Sequence, residues 1–186
     1  HPVAHSFPTR RSSDLVTQNG ASGTAQVTAG VSVGKYEVKF LYDGGERWRG
    51  RGVNAAVASI TEKMAPKVIG MDATSQQEVD QVIIELGGNA TASVSAAVLK
   101  AGAASLGIPL YRHIGGANAC TLPVPGVISL VGSTRYGYGA RSGGKPSHSL
   151  YCYGFDTYSE ASYAAYTVQH IYADILKEKF DLDQRF

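Results

Sequence analysis

The chain has 186 residues, 44% of them hydrophobic and 17% charged, which suits one globular domain with part of a second. Its 17 basic and 15 acidic residues leave a net charge of +2, so charge gives no reason to expect nucleic acid or an acidic membrane as a partner. The apolar runs are short and broken by Gly, Lys or Ser, and none approaches the ~20 residues needed to cross a bilayer.

Residues 1–15 have no hydrophobic period and no apolar stretch of the signal-peptide kind. The run His5-Ser6-Phe7-Pro8-Thr9-Arg10-Arg11-Ser12-Ser13-Asp14-Leu15 resembles one reading frame of a sequencing-library adapter, so 1–15 is expected to be a non-native or disordered tail. The end at Phe186, just after a helical pattern, is likewise read as a fragment boundary.

Beyond Val16 the pattern is short strands and turns. Asn19-Gly20 signals a hairpin, and Thr24, Gln26 and Thr28 alternate with Ala25, Val27 and Ala29 as a half-buried strand would. Gly30-Val31-Ser32-Val33-Gly34 is a serine loop with a permissive backbone at both ends. Tyr36 to Tyr42 reads as a further strand, closed by Asp43-Gly44-Gly45. Helical periodicity follows: Val53, Ala56, Val57, Ile60 and Met64 share a face. Ser75-Gln76-Gln77-Glu78 spells a capping box, with Val79, Val82, Ile83 and Leu86 as the stripe behind it. The Ala-rich run from Ser93 to Leu106 permits close helix packing, and Pro109 to Ile114 adds a short helix or turn. The segment 16–120 is therefore an α+β domain: a small sheet, then helices.

A second character begins at 121. Leu122-Pro123-Val124-Pro125-Gly126 is an extended linker into a strand at 127–131, Gly132 to Ser147 is a polar loop, and Leu150 to Phe155 alternates like a strand. A second capping box, Thr157-Tyr158-Ser159-Glu160, opens a long helix striped with Ala161, Ala164, Ala165, Val168, Ile171 and Ile175. Strand, strand and helix over 121–186 are the expected opening of a larger α/β domain.

Several motifs fail. Gly139 to Lys145 nearly spells a P-loop, but Pro146 lacks the hydroxyl that would reach magnesium and resists the helix that should begin there. Arg47, Arg49 and Arg51 around Trp48 read as a solvated turn in a chain of balanced charge. The tyrosines from Tyr136 to Tyr172 read as core and interface packing. His113, His148 and His170 share no metal spacing. Cys120 and Cys152 form no CxxC pair and read as buried, reduced thiols of a cytosolic protein. Asn89-Ala90-Thr91 matches a glycosylation sequon by chance.

Taken in order, these residues resemble the enolase family. Gly30-Val31-Ser32-Val33-Gly34-Lys35-Tyr36-Glu37 is similar to its G-A-S-T-G-x-Y-E loop. Asp43-Gly44 with Gly50-Arg51-Gly52-Val53 resembles its next turn, and Asn89-Ala90 its G-A-N-A step. Lys100-Ala101-Gly102-Ala103-Ala104, then Gly107-Ile108-Pro109-Leu110-Tyr111-Arg112-His113-Ile114, then Leu122-Pro123-Val124-Pro125, resemble its helix-to-linker signature.

The resemblance implies an N-terminal capping domain followed by the first strands and helix of an incomplete β/α barrel. It implies a cytoplasmic, homodimeric, Mg2+-dependent lyase of glycolysis that dehydrates 2-phosphoglycerate, a small phosphorylated carboxylate, to phosphoenolpyruvate. The α-proton of a carboxylate is weakly acidic, so divalent cations must offset the charge that develops on its removal. On this resemblance Ser32 is a metal ligand on a mobile loop hinged at Gly30 and Gly34, while the base and the carboxylate ligands fall beyond Phe186, leaving no catalytic residue in this chain.

Two departures qualify it. Gly132-Ser133-Thr134-Arg135 stands where the family has G-G-S-H, with Arg135 near the histidine; arginine can hold a phosphate but cannot replace an imidazole. Pro146-Ser147-His148 falls near the family's Q-E pair and supplies no carboxylate. Arg135 and His148 are the candidate substrate contacts, and a non-catalytic or altered-substrate enolase-like binding partner is the alternative reading.

Overall fold

The computed structural model describes residues 3–7, 12–27, 35–36, 38–130 and 148–181. The chain divides into two compact units, His1–Ala119 and Cys120–Phe186.

The first unit opens with an antiparallel meander of β1 (Val3–Phe7), β2 (Ser12–Val16) and β3 (Ser22–Gln26), in that order across the sheet. The β2–β3 turn is the expected one: Thr17 N–H donates to Ala21 O at 2.8 Å, and Gly20 sits at φ +83°, where a side chain would be strained. Along β3, Gly23 and Ala25 face inward and Ser22, Thr24 and Gln26 face out.

Of the segment 1–15, expected to be a non-native or disordered tail, residues 3–7 and 12–15 lie in strands. Ser13 and Leu15 are buried, and β2 is the central strand of the sheet. A ladder is made of main-chain bonds, so a segment of any origin can pair if its inward positions suit the core. Leu15 supplies an apolar inward residue. Ser13 is satisfied by a relay: its hydroxyl lies 2.8 Å from Ser93 Oγ, which donates its own hydrogen to Ala90 O at 3.0 Å, so Ser13 is the donor of the pair.

Helices cover one face of this sheet. α1 (Asn54–Ala58), a π turn (Ser59–Met64) and α2 (Ala65–Val68) run on as one helical stretch. The wider turn lies just ahead of Pro66, which lacks the N–H for a regular bond and whose ring crowds the carbonyl four residues back. Ala56, Ile60, Met64 and Val68 form its buried face. α3 (Gln76–Ile83) buries Val79 and Ile83 but leaves Val82 exposed, so its stripe is narrower than the sequence pattern. Its capping box does not form. Ser75 N–H already donates to Asp72 O at 3.1 Å, so the donor that Glu78 would need is taken.

α4 (Gly88–Ser105) is the central helix and packs across β3 and β2. Ala90, Val94, Ala97, Val98 and Ala101 lie in the core with Leu15, Ala25, Ile60 and Met64. α5 (Leu110–Gly115) closes the unit. Among the described residues no single helix is long and apolar enough to cross a membrane, and the apolar character of α4 is spent on this core.

The segment 38–42 is not a strand. Leu41 N–H donates to Asn89 Oδ1 at 2.9 Å, and Asn89 Nδ2 lies 3.5 Å from Leu41 O. A side-chain amide thus occupies the backbone groups that a neighbouring strand would use. Asn89 is buried there, so the sequon is closed to modification.

The second unit pairs β4 (Gly126–Leu130) with β5 (His148–Tyr151), antiparallel with an irregularity between Ile128 and Leu130, and packs α6 (Tyr158–Phe180) against β4. Here the box forms. Thr157 is extended, its hydroxyl accepts from Glu160 N–H at 3.2 Å, and Glu160 Oε2 accepts from Thr157 N–H at 3.2 Å. Ala161 and Ala165 are buried, whereas Val168, Ile171 and Ile175 are exposed. Tyr151, Tyr153, Tyr158, Tyr163 and Tyr166 are exposed rather than core. The cysteines are free as expected but not buried: Cys120 is exposed and Cys152 half-buried.

Gly23 is closely packed against α4. A Cβ there would meet Ala97 O, Ala101 N at 2.5 Å and Lys100 Cβ at 3.0 Å, all parts of α4 that cannot swing aside. Gly23→Ala is expected to destabilise the first unit by about 1–3 kcal/mol, the usual range for overpacking, as read by urea denaturation. Unchanged stability would mean that α4 and β3 are not this close.

Candidate functional site

Gly30, Ser32, Gly34 and Arg135 lie outside the described residues. His148 opens β5, its backbone opposite Leu130 and next to the segment 131–147. The segment 139–145, which nearly spells a P-loop, also lies outside the described residues.

What the structure does describe is the pair of flanks on either side of the serine loop. Upstream is β3, where Lys100 Nζ of α4 donates to Thr24 O at 2.8 Å. Downstream, Lys35 and Tyr36 are exposed, with Lys35 Nζ 5.3 Å from the Tyr36 ring centre, a weak cation–π contact in water. Then comes 38–42, with Phe40 and Tyr42 stacked at 6.0 Å and Leu41 held by Asn89. Asn89 is the residue whose local job the sequence did not disclose. The only signal was its place just after Gly87-Gly88, at the start of a helix, where a short polar side chain can reach past the helix end.

The turn 43–52 follows. Asp43 Oδ1 accepts from Ala55 N–H at 2.7 Å in the first turn of α1, where a carboxylate suits the free backbone donors. Asp43 N–H donates to Gly52 O and Gly44 N–H to Gly50 O, closing the turn. Trp48 and Arg49 sit at φ +55° and +51°, a left-handed pair that costs about 1–3 kcal/mol per residue. Trp48 is 73% exposed, and Arg47, Arg49 and Arg51 are exposed with it.

An open cleft of about 400 Å3 lies at the other end of α4, lined by Thr17, Gln18, Asn19, Gly70, Met71, Asp72, Ala73 and Ser105. Asn19 Nδ2 donates to Ser105 Oγ at 3.0 Å across it. Asp72 Oδ1 accepts from the Thr74 N–H and hydroxyl, both at 2.8 Å, and these bonds hold its carboxyl below the ordinary aspartate value. Its lining holds hydroxyls, amides and one engaged carboxylate, with no nucleophile–base pair. Among the described residues no group of three or more His, Cys, Asp or Glu side chains is placed to hold a metal ion.

The Asp72 turn makes a pH prediction. Because the folded value is lowered, the ionised turn stabilises above the unfolded value of about 4, and that contribution fades as pH falls through the lower folded value. Asp72→Asn keeps the acceptor and removes the charge. The stability gap between wild type and variant should be open at neutral pH and close below about pH 4; a gap independent of pH would contradict it.

Comparison with known proteins places these features in one family. Residues 12–114, from β2 to α5, match the family model described as "Enolase, N-terminal domain". The chain is 38% identical over 179 residues to the "Enolase" of Methanopyrus kandleri, covering 90% of this chain and 40% of that protein. It is 42% identical over 170 residues to the "Enolase" of Methanothrix thermoacetophila, covering 85% and 39%. It is 40% identical over 175 residues to the "Enolase" of Bifidobacterium longum subsp. infantis, covering 89% and 40%. The chain thus spans about two fifths of the length of the curated relatives it matches.

Proposed function

The chain belongs to the enolase family, and from that footing we propose that the complete protein is a lyase that dehydrates 2-phosphoglycerate to phosphoenolpyruvate in cytoplasmic glycolysis, working as a homodimer. The observation that carries this reading is the family match across 12–114, which includes the glycine–serine loop and both of its described flanks.

In this reading the first unit is the capping domain and the second opens a β/α barrel. The exposed stripe of Val168, Ile171 and Ile175 on α6 supports that assignment, since a barrel helix needs further strands to cover its inner face. A divalent metal is part of the proposal, but the described residues do not make a site for it. We assign Ser32 as its one ligand from this chain, with Gly30 and Gly34 as hinges, and the carboxylate ligands and the base to the part of the protein outside the chain. The metal would supply charge to offset the developing carboxylate dianion.

Arg135 and His148 are proposed substrate contacts. Arginine at that place favours a phosphate or carboxylate and cannot exchange a proton near neutral pH. This supports a second reading, an enolase-like binding partner or an enzyme of altered substrate. The two are separated by assaying the complete protein with 2-phosphoglycerate and Mg2+. Turnover that Ser32→Ala shifts to a higher Mg2+ requirement supports the lyase; no turnover with retained binding of the phosphorylated acid supports the alternative.

The isolated 186-residue chain is expected to show no turnover and to self-associate through its uncovered α6 face. Magnesium-dependent product formation by the purified chain, followed at the ultraviolet band of the enol product, would overturn the placement of the base and metal ligands elsewhere.

A further inference from the structure

Three separate parts of the first unit converge at the C-terminal end of α4. The β2–β3 turn is tied to it by Asn19, whose Nδ2 donates to Ser105 Oγ at 3.0 Å and lies 3.3 Å from Ser105 O. The loop between α2 and α3 is seated on it: Gly102 has no room for a Cβ, because one would run into Ala73 O. Turn and loop are also bonded within themselves, Thr17 N–H to Ala21 O in the first and the Thr74 and Ser75 N–H groups to Asp72 in the second. The open cleft of about 400 Å3 between them is therefore formed before any ligand arrives, which lowers the cost of binding. Its size lies within the range of small-molecule sites, about 300–1,000 Å3.

The lining is one-sided in charge. Asp72 belongs to it, and its Oδ2 takes no bond from the described residues, since both Thr74 bonds fall on Oδ1. Among the described residues no Lys, Arg or His lines the cleft. The last turn of α4 holds no basic residue either, so the helix pole, worth about half a negative charge, is unmatched where Ser105 meets the cleft. Met71 and Ala73 supply an apolar wall and also pack with the core. We propose that this cleft is a binding site for a small organic cation, a primary ammonium on a short aliphatic stem. The ammonium donates to Asp72 Oδ2 beside the α4 pole, and the stem lies on Met71 and Ala73. A neutral alcohol of the same length gains the apolar contact without the charge-assisted bond, and a carboxylate meets like charge. One carboxylate is too few for a divalent metal ion, which takes several oxygen ligands.

The test uses the full chain with carbon-13 in its methionine methyl groups, read by nuclear magnetic resonance. The two methionines report different places: Met71 lines the cleft, and Met64 is fully buried in the core. The probes are pentylamine, 1-pentanol and hexanoate at neutral pH, alike in stem and different in charge. Pentylamine, protonated under these conditions, should move the Met71 signal saturably and leave Met64 in place. Its dissociation constant should be about 1 mM, which suits so small a molecule. The alcohol should bind about tenfold more weakly, and hexanoate should show no saturation. Asp72→Asn should weaken the amine about tenfold and bring it level with the alcohol. Four results would each refute the proposal: an equal response to amine and alcohol, unaltered amine binding in Asp72→Asn, no shift of Met71, or Met64 and Met71 moving together without saturation. If Asp72→Asn displaces the Met64 signal before any probe is added, the variant has changed the fold and the wild-type comparison decides alone. Preference for the amine over the alcohol then supports the site, and parity refutes it.

Discussion

The close seating of α4 on β3 is the constraint on which the first unit depends. Gly23 has no Cβ, and the facing residues Ala97 and Ala101 have only one carbon each, so the helix backbone approaches the strand more closely than larger side chains allow. That approach lets Ser93 reach Ser13 on the central strand. It also lets Asn89 and Lys100, from one helix, reach backbone groups on both sides of the serine loop. An α4 carrying larger residues would stand off the sheet and lose these polar bonds together.

The buried polar side chains of this unit are hydrogen-bonded. Ser13, Ser59, Asn89 and Ser93 are buried, and each has a partner: Ser59 reaches Leu86 O at 3.2 Å, and the others have been described. One buried atom, Gln76 Oε1, has no partner among the described residues, although its Nε2 serves Asp80 and Ser95. Paired groups of this kind add little net stability, but their loss is costly, so they select one arrangement of segments over others. Asn89 shows this most clearly, because its amide meets both the N–H and the carbonyl of Leu41.

The second unit is built on a different balance. Two short strands and one long helix bury Ala161 and Ala165 and leave a row of aliphatic and aromatic side chains in contact with water. The capping box at Thr157 and the left-handed Asp181 at the other end define the length of α6 locally, without help from packing. A helix so well terminated keeps its length while much of its surface is in water.

Much of this was legible in the residues. The Asn19-Gly20 hairpin, the buried face of Ala56, Ile60 and Met64, the Ala-rich core helix and the Thr157 box are local patterns, and local patterns act through a few neighbouring bonds that the sequence itself contains. The family, too, was readable from ordered motifs. The tertiary structure decided the rest, because each remaining case turned on a partner far along the chain or on competition for one group. Ser75 could not form its box because Asp72 already held its N–H. In the segment 38–42, which is not a strand, the backbone of Leu41 is bonded by Asn89, about fifty positions away. The opening segment joined the sheet because a ladder reads backbone rather than side-chain identity. Sequence alone determined the hairpin turn, the helices and the Thr157 cap; packing decided which donor each acceptor received and which of the remaining segments became strands, since that choice depends on distances no sequence pattern contains.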